Sequence, residues 1–321
     1  DTAFAAAKAG TVQIAAVPQI LADKEVPGMR LVRATSVDNR GIMFPYQKAG
    51  HEELNGKPVG NDVTADPAIR QAINYAINRQ ALVEGVLNGF GTPAYGSVSY
   101  LPWEEKATRI KDNDLKKAAS LLHKAGWEDH DQDGILDKDG MAAEFTLLYP
   151  ADRLIRQSLA LAVADMVAPL GIRIKLSGKS WDEIRKVQHA QAVLFGWGSY
   201  DPTEMYHLYH SRVSGQGYFN PGLYTNPAVD AYLDQALAAA TTEEAEKFWR
   251  AAQWDGSTGV APQGDAPWAW LVNLDHTYLV DQGLDIGTTR VEPHGHGWPI
   301  TANIVDWRGK EGGQGNTFFV K

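Results

Sequence analysis

Two hydrophobic periodicities alternate along the chain and predict where its strands and helices lie. Short apolar runs bounded by turn residues predict β-strands at residues 12–17, 29–35, 41–46, 144–149, 172–176, 192–197 and 268–280. Apolar residues spaced three or four apart predict helices at residues 67–77, 82–87, 114–126, 152–168 and 180–190, and near 227 and 242. Between residues 144 and 197 the order is βαβαβ, which predicts a mainly parallel sheet covered by helices.

Capping residues mark the start of two of these helices. Asp66 precedes Pro67, and proline at the first helical position after an acidic N-cap is a strong start signal. The segment SWDE at residues 180–183 has the Ser-x-x-Glu spacing of a capping box, so a helix is expected to open there.

Composition and charge narrow the class of protein. A chain of 321 residues is long enough for two compact bodies or one large α/β body. The net charge of −9 argues against a nucleic-acid partner, which would need a basic surface. The chain has no cysteine, which excludes disulfides, thiolate metal sites and a cysteine nucleophile. No apolar run approaches the roughly 18 residues needed to cross a bilayer.

The loop at residues 129–140, DHDQDGILDKDG, carries closely spaced acidic side chains. Asp129, Asp131, Asp133 and Asp137 match four ligand positions of an EF-hand calcium loop, but position 12, where a bidentate glutamate belongs, is Gly140. Aspartate and glycine also favour tight turns for local reasons. We therefore expect a structural turn at which calcium would bind only weakly, and no required cofactor.

Two histidine groups are alternative candidates for metal binding. Glu204, His207 and His210 are three residues apart and can share a helix face, and His294 and His296 alternate in PHGHGWP. Imidazole is a common ligand of transition metals. The alternative, which we favour for both groups, is that these rings pack or form hydrogen bonds at a surface.

Aromatic residues are abundant, with ten tryptophans and twelve tyrosines. Trp197 falls at the end of the strand predicted at 192–197, and open α/β sheets bind ligands at the carboxyl ends of their strands. Aromatic walls with few polar groups are typical of small-molecule pockets, although core packing explains many aromatic residues equally well. Motifs for a nucleophile elbow, a P-loop, a zinc protease or a dinucleotide site are absent from the sequence, which argues against an enzyme.

Several segments, taken in order, resemble the extracellular solute-binding proteins of family 5, which serve peptide- and nickel-type ABC importers. The resemblance covers nearly all of the chain. The segments that carry it are AAAKAGTVQIAAVP (5–18), DPAIRQAINYAINRQALVEGVLNGFGTPA (66–94), LKKAASLLHKAGWEDHDQDGI (115–135), LAVADMVAPLGIRIKL (161–176), AVLFGWGSYDP (192–202), the helix pair at 227–254 and APWAWLV (266–272).

The resemblance implies an α/β fold: a lobe like that of the type II periplasmic binding proteins, with a mixed, mainly parallel sheet, plus pieces of a second lobe. The chain is expected to correspond to the C-terminal portion of such proteins. Residues 1–46 would belong to the first lobe, 47–278 would form the second lobe, and 279–321 would return to the first. The two crossings between lobes are expected near 41–47 and 276–282.

The resemblance also implies a set of ligand-binding residues. The family's two tryptophans correspond to Trp181 and Trp197, and Tyr200 corresponds to a tyrosine before the Asp-Pro pair of nickel-type members. Peptide-binding members carry an aspartate shortly after the GW motif, where this chain has Gly198 and Ser199. Ordinary peptide binding by that anchor is therefore in doubt, because a buried ammonium without a carboxylate is costly. The expected ligand-binding set is completed by Asp201 and His207.

Asp201 is a weak replacement for the missing aspartate. It precedes Pro202 and is expected to cap the next helix instead.

The function implied by the resemblance is capture of a small peptide-like or metal-chelate solute between two lobes, followed by delivery to a membrane permease. Such a protein would be a periplasmic or extracellular monomer, with a lipoprotein anchor as one option. Two alternatives come from other classes. One is a hydrolase of peptides or glycans that uses Asp201, Glu204 and His207 as acid–base groups, and the other is a calcium-stabilised interaction module.

Overall fold

The computed structural model describes residues 1–50, 53–295 and 300–309, and about half of these residues lie in helices and strands. The helices are α1 (Thr2–Lys8), α2 (Asp62–Ala65), α3 (Pro67–Ala76), α4 (Arg79–Gly85), α5 (Leu115–Lys124), α6 (Leu154–Val167), α7 (Trp181–Val187), α8 (Thr203–Tyr209), α9 (Pro227–Ala238) and α10 (Thr242–Gln253). The strands are β1 (Ile14–Val17), β2 (Met29–Ala34), β3 (Asn39–Met43), β4 (Glu53–Leu54), β5 (Lys57–Pro58), β6 (Gly91–Pro93), β7 (Asp137–Lys138), β8 (Met141–Ala142), β9 (Glu144–Pro150), β10 (Arg173–Lys179), β11 (Ala192–Trp197), β12 (Trp268–Leu274), β13 (His276–Asp281), β14 (Leu284–Asp285) and β15 (Arg308–Gly309).

The larger sheet has six strands in the order β10-β9-β11-β3-β12-β6. Strands β9, β10 and β11 are parallel neighbours, as the βαβαβ pattern predicts, and α6 and α7 connect them. Strand β3 lies between β11 and β12 and is antiparallel to both, and β6 is antiparallel to β12. The α/β class and the mixed sheet are confirmed. Four of the six strands, β9 to β12, run in the same direction, so the sheet is mainly parallel in strand direction. Most neighbouring pairs, however, are antiparallel.

Helices cover both faces of this sheet because successive strand residues point to opposite sides. Ile42 and Leu194 pack on one face, with residues of α3, α5 and α6. Met43 and Val193, their neighbours in sequence, pack on the other face with residues of α8, α9 and α10. None of the described helices is long and apolar enough to cross a membrane.

A second sheet has three antiparallel strands in the order β1-β13-β2. The single strand predicted at 268–280 is therefore wrong: β12 belongs to the six-stranded sheet and β13 to this one. The two strands separate at Asp275. Its backbone N–H donates to the carbonyl of Phe90, its own carbonyl accepts from the Gln19 amide, and its carboxylate pairs with Arg33. These partners replace the ladder bonds that a continuous strand would have made.

The chain passes between the two sheets at two places. The first passage is at residues 35–38, between β2 and β3, and Ile42 and Met43, which follow it, are fully buried in the six-stranded sheet. The return passage is Asp275, just before the range predicted at 276–282. The crossings between lobes expected near 41–47 and 276–282 stay a prediction. We call residues 35–38 the first connection and Asp275 the second connection. The assignment of the two sheets to two lobes stays a prediction.

Candidate functional site

The carboxyl end of β11 leads into a loop that packs directly on the first connection. Trp197 ends the strand, and its backbone N–H donates to Oδ1 of Asn39 at 3.1 Å. Gly198 follows with φ of +137°, and a Cβ there would lie 2.2 Å from the carbonyl oxygen of Val37. Only glycine fits this conformation and this approach. Residues 198–201 are called the site loop below.

Glu204, in the first turn of α8, holds the site loop in place. Its Oε2 accepts a hydrogen bond of 2.9 Å from the backbone N–H of Gly198, and the backbone N–H of Ser199 also donates to this carboxylate. Burial raises the pKa of Glu204 to about 7, against the lowering effect of these two donors. The Glu204 side chain is thus occupied by backbone groups rather than by a metal.

The remaining loop residues have separate roles. Asp201 accepts from the backbone N–H of Thr203 at 2.9 Å, but the N-cap of α8 is Pro202, so Asp201 supports the turn before the helix rather than capping it as predicted. Oγ of Ser199 accepts from the N–H of Asp201 at 2.9 Å. Tyr200 is 43% exposed and lines an open cavity of about 610 Å³ together with Arg290, Val291 and Ala302.

Trp181, at the first position of α7, belongs to an aromatic cluster beside β11. Its ring stacks on Phe195 with centroids 5.6 Å apart, and the edge of Tyr218 contacts it at 5.6 Å. A capping box between Ser180 and Glu183 fixes this turn, as the sequence predicts. Trp181 is partly exposed, so one part of the ring packs and another part stays accessible.

Arg156 is a candidate site residue that was not predicted from the sequence. It lies in the first turn of α6, after the carboxyl end of β9, and its Cζ is 5.5 Å from the Trp181 ring centroid. Nη1 donates to the carbonyl of Leu194 at 2.8 Å. Because β9 and β11 are parallel, Arg156, Trp181 and Trp197 lie at the carboxyl edge of the sheet, where open α/β sheets bind ligands.

Arg156 makes no ion pair with a described carboxylate, although the charges of Asp38 and Asp152 favour its protonated form. The side chain is 92% buried, yet no described carboxylate lies within ion-pair distance of it, whereas the adjacent Arg40 pairs with Asp38. Burial and then Arg40 lower the pKa of Arg156 to about 9, so the guanidinium stays protonated at neutral pH. Gly196 makes room for both arginines, since a Cβ there would lie 2.9 Å from Nη2 of Arg156.

A sequence signal for Arg156 did exist. It shares a helix face with Leu159, Ala160 and Val163, all of them buried. A charged side chain on the apolar stripe of a helix is rare unless it is paired or functional.

Among the described residues, the candidate histidines lie in separate environments. The ring of His207 stacks on Phe219 with centroids 4.1 Å apart, and His210 is buried 3.2 Å from Asp234. Nδ1 of His294 donates to the ionised Asp38 carboxylate at 2.5 Å, and His296 lies outside the described residues. Within residues 1–50, 53–295 and 300–309, the histidines do not take part in any cluster of three potential metal ligands.

The acidic loop brings three of its four predicted ligands together. Carboxylate oxygens of Asp129, Asp131 and Asp133 lie within 4.8 Å of one another, all on exposed side chains. Asp137 is outside this group and interacts with His130 at 2.9 Å. The backbone N–H groups of residues 133, 134 and 135 donate to the same three aspartates, which is the pattern of a self-supporting turn.

The fold and the edge of the six-stranded sheet define a class of protein. Two solved structures share the fold: NikZ from Campylobacter jejuni in complex with Ni(L-His) (TM-score 0.77, 25% identity, 95% of this chain and 59% of that one) and AppA from Bacillus subtilis in complex with a nonapeptide (TM-score 0.75, 22% identity, 97% and 58%). The architecture is that of the type II periplasmic binding proteins.

Residues 1–220 match the family described as bacterial extracellular solute-binding proteins, family 5 Middle, and this chain belongs to that family. Protein XP55 of Streptomyces lividans is 35% identical over 268 residues, covering 83% of this chain and 46% of that protein. The oligopeptide-binding protein AppA of Bacillus subtilis is 30% identical over 199 residues, covering 58% and 36%. The chain thus spans less than half of the length of these two relatives.

Proposed function

We propose that the protein is the substrate-binding component of an ABC importer, which captures a peptide-like or metal-chelate solute and delivers it to a membrane permease. Family membership supports the class, and relatives are named as oligopeptide-, glutathione- and nickel-binding proteins. The same relatives support a periplasmic or extracellular location. A monomer, with a lipoprotein anchor as one option, is part of the proposal. The site's aromatic walls suit a small solute.

One observation carries the ligand chemistry: the buried guanidinium of Arg156 lies against Trp181, with no described carboxylate at ion-pair distance from it. Burying an unpaired charge costs several kcal/mol, so a site that keeps one is arranged for an anion. Guanidinium binds carboxylate through two parallel hydrogen bonds. We therefore propose that the solute carries a carboxylate that binds Arg156 while an apolar or planar part contacts Trp181 and Trp197.

The hydrolase alternative has no such support. The carboxylates of Asp201 and Glu204 accept from backbone N–H groups, and the ring of His207 stacks on Phe219. General acid–base catalysis needs a proton-transfer group within hydrogen-bond reach of the substrate, and these three side chains are engaged elsewhere. We propose that the protein does not act as a hydrolase.

Native mass spectrometry of the protein purified from its host tests this function. A bound small molecule is expected, and Arg156→Ala should weaken its retention by about 30-fold or more, because a buried charge pair loses one partner. Arg156→Lys should restore little, since lysine lacks the planar fork. Arg153→Ala is the matched control, because Arg153 precedes the same helix but is exposed.

Trp181→Ala and Trp197→Ala should each weaken retention as well. Equal retention in the parent, Arg156→Ala and both tryptophan variants would contradict this site. Turnover of a peptide or glycan panel that His207→Ala abolishes would favour the hydrolase instead.

A further inference from the structure

Hydrogen bonds join the first connection to Leu274, the last residue of β12 before the second connection. Oγ of Ser36 donates to the carbonyl of Leu274 at 2.5 Å, and the N–H of Leu274 donates to the carbonyl of Asp38 at 2.8 Å. The N–H of Asp38 in turn donates to Oγ of Ser36 at 3.0 Å. The first connection is therefore bonded to the end of β12, beside the second connection, although about 240 residues separate them in sequence.

A third segment, residues 292–294, lies between the first connection and the site loop. The N–H of Val37 donates to the carbonyl of Glu292 and the N–H of Glu292 to the carbonyl of Thr35, each at 2.8 Å. Two residues further on, the N–H of His294 donates to the carbonyl of Gly198 at 2.9 Å. This short segment thus bonds to the connection at one end and to the site loop at the other.

The Asp38 carboxylate is the point at which these elements meet. Arg40 of β3 donates to it, His276 of β13 contacts it at 3.2 Å, and Nδ1 of His294 contacts it at 2.5 Å. Burial would raise the pKa of Asp38, but Arg40, His276 and His294 outweigh this and hold it well below its ordinary value. Removal of one of these donors should strongly destabilise the folded protein, because the buried carboxylate would lose a partner.

His276 and Glu292 extend the same network. Nδ1 of His276 lies 2.6 Å from Oε2 of Glu292, which also accepts from the Tyr278 hydroxyl at 2.6 Å. Because its two ring nitrogens face carboxylates of Glu292 and Asp38, His276 donates from both and carries a positive charge. The ion pairs therefore link β13, the first connection and segment 292–294.

We propose that His294 and Asp38 are positioning residues that couple the site loop to the connection between the two sheets. A movement of one sheet relative to the other must pass through the first connection, and Gly198 contacts that connection at Val37 and bonds to His294. Loop position and connection geometry then change together. This inference rests on the proposed function: when the protein closes on a solute, the movement reaches the site loop through Asp38.

Amide hydrogen exchange of the full chain without added ligand tests the coupling. The N–H groups of Gly198 and Ser199 donate to Glu204, not to His294 or Asp38, so they report on the loop indirectly. His294→Ala and Asp38→Asn should each speed exchange at these two amides by about tenfold or more, as a local opening does. His294→Asn, which places an amide donor near the position of Nδ1, should restore the slow rate.

The matched control is His130→Ala, because His130 also interacts with an aspartate, Asp137, but on the acidic loop. It should leave the Gly198 and Ser199 amides unchanged. Exchange at the amides of β10 shows whether a variant has unfolded as a whole. If exchange at β10 also accelerates, the His294→Asn variant decides whether the coupling is present. Unchanged Gly198 and Ser199 exchange in folded His294→Ala and Asp38→Asn would overturn the coupling. If exchange at the Gly198 and Ser199 amides is faster in these variants but no solute co-purifies with the protein, the coupling is supported. That outcome contradicts only the proposed function.

Discussion

Oε2 of Glu204 lies 2.9 Å from the backbone nitrogen of Gly198, so a carboxyl group in α8 holds the loop that follows the last parallel strand. The group accepts two backbone donors, which favours its charged form, but burial outweighs them and raises its pKa to about 7. The site loop is thus held by a side chain that changes protonation near neutral pH.

Glu204 should make the protein less stable as the pH rises through the weakly acidic range. The folded pKa of about 7 exceeds the unfolded value of 4.5, so the folded state binds the extra proton between these values. Its contribution to the free energy of unfolding therefore falls from pH 4.5 to 7. Glu204→Gln should flatten this part of the profile in urea unfolding. Glu84→Gln, at an exposed glutamate, should not, and an unchanged slope in Glu204→Gln would refute the assignment.

His276 should contribute stability that disappears at alkaline pH. Burial would lower its pKa, but Asp38 and Glu292 raise it to about 9, above the ordinary 6.5. The contribution is complete below pH 6.5 and is lost as the pH rises from there through about 9. Urea unfolding of His276→Gln should lack this decline. A parent and variant with parallel profiles between pH 6.5 and 9 would show that the ion pairs do not form in solution.

Gly198→Ala should displace the site loop. The new Cβ would approach the Val37 carbonyl oxygen to 2.2 Å at a φ of +137°, so the backbone must move. The free energy of unfolding should fall by about 2 kcal/mol or more. Gly134→Ala is the control: Gly134 also has a positive φ, +86°, but a Cβ there meets nothing within 4 Å. Its cost should be about 1 kcal/mol. Thermal unfolding compares the two, and equal losses would mean that the close approach to Val37 is absent.

Removal of metal should leave the fold intact. The aspartates of the acidic loop already accept from its own backbone N–H groups, so the turn does not depend on an ion. We expect EDTA to leave the melting temperature unchanged and millimolar calcium to raise it by at most about 1 °C. Asp131→Asn should abolish any such rise. A drop of several degrees with EDTA would instead favour the calcium-stabilised module.

Local pattern was enough to predict most elements and part of the site. The βαβαβ order, the capping box at Ser180 and the N-cap at Asp66 depend on residues within one or two helical turns, and all three are present. Trp197 lies at the carboxyl end of its strand for the same reason. Family resemblance added the class of protein, which no single motif could supply.

Tertiary structure alone decided the order of strands, the break at Asp275 and the charge balance of the site. The insertion of β3 between β11 and β12 places the passage between the two sheets at residues 35–38. Asp38 and His294, 256 residues apart, meet only after folding, as do Arg156 and Trp181. Periodicity records whether a residue is buried, because burial repeats with the element. It does not record which distant charge neutralises a buried one: Asp38 pairs with Arg40, His276 and His294, whereas Arg156 makes no ion pair with a described carboxylate.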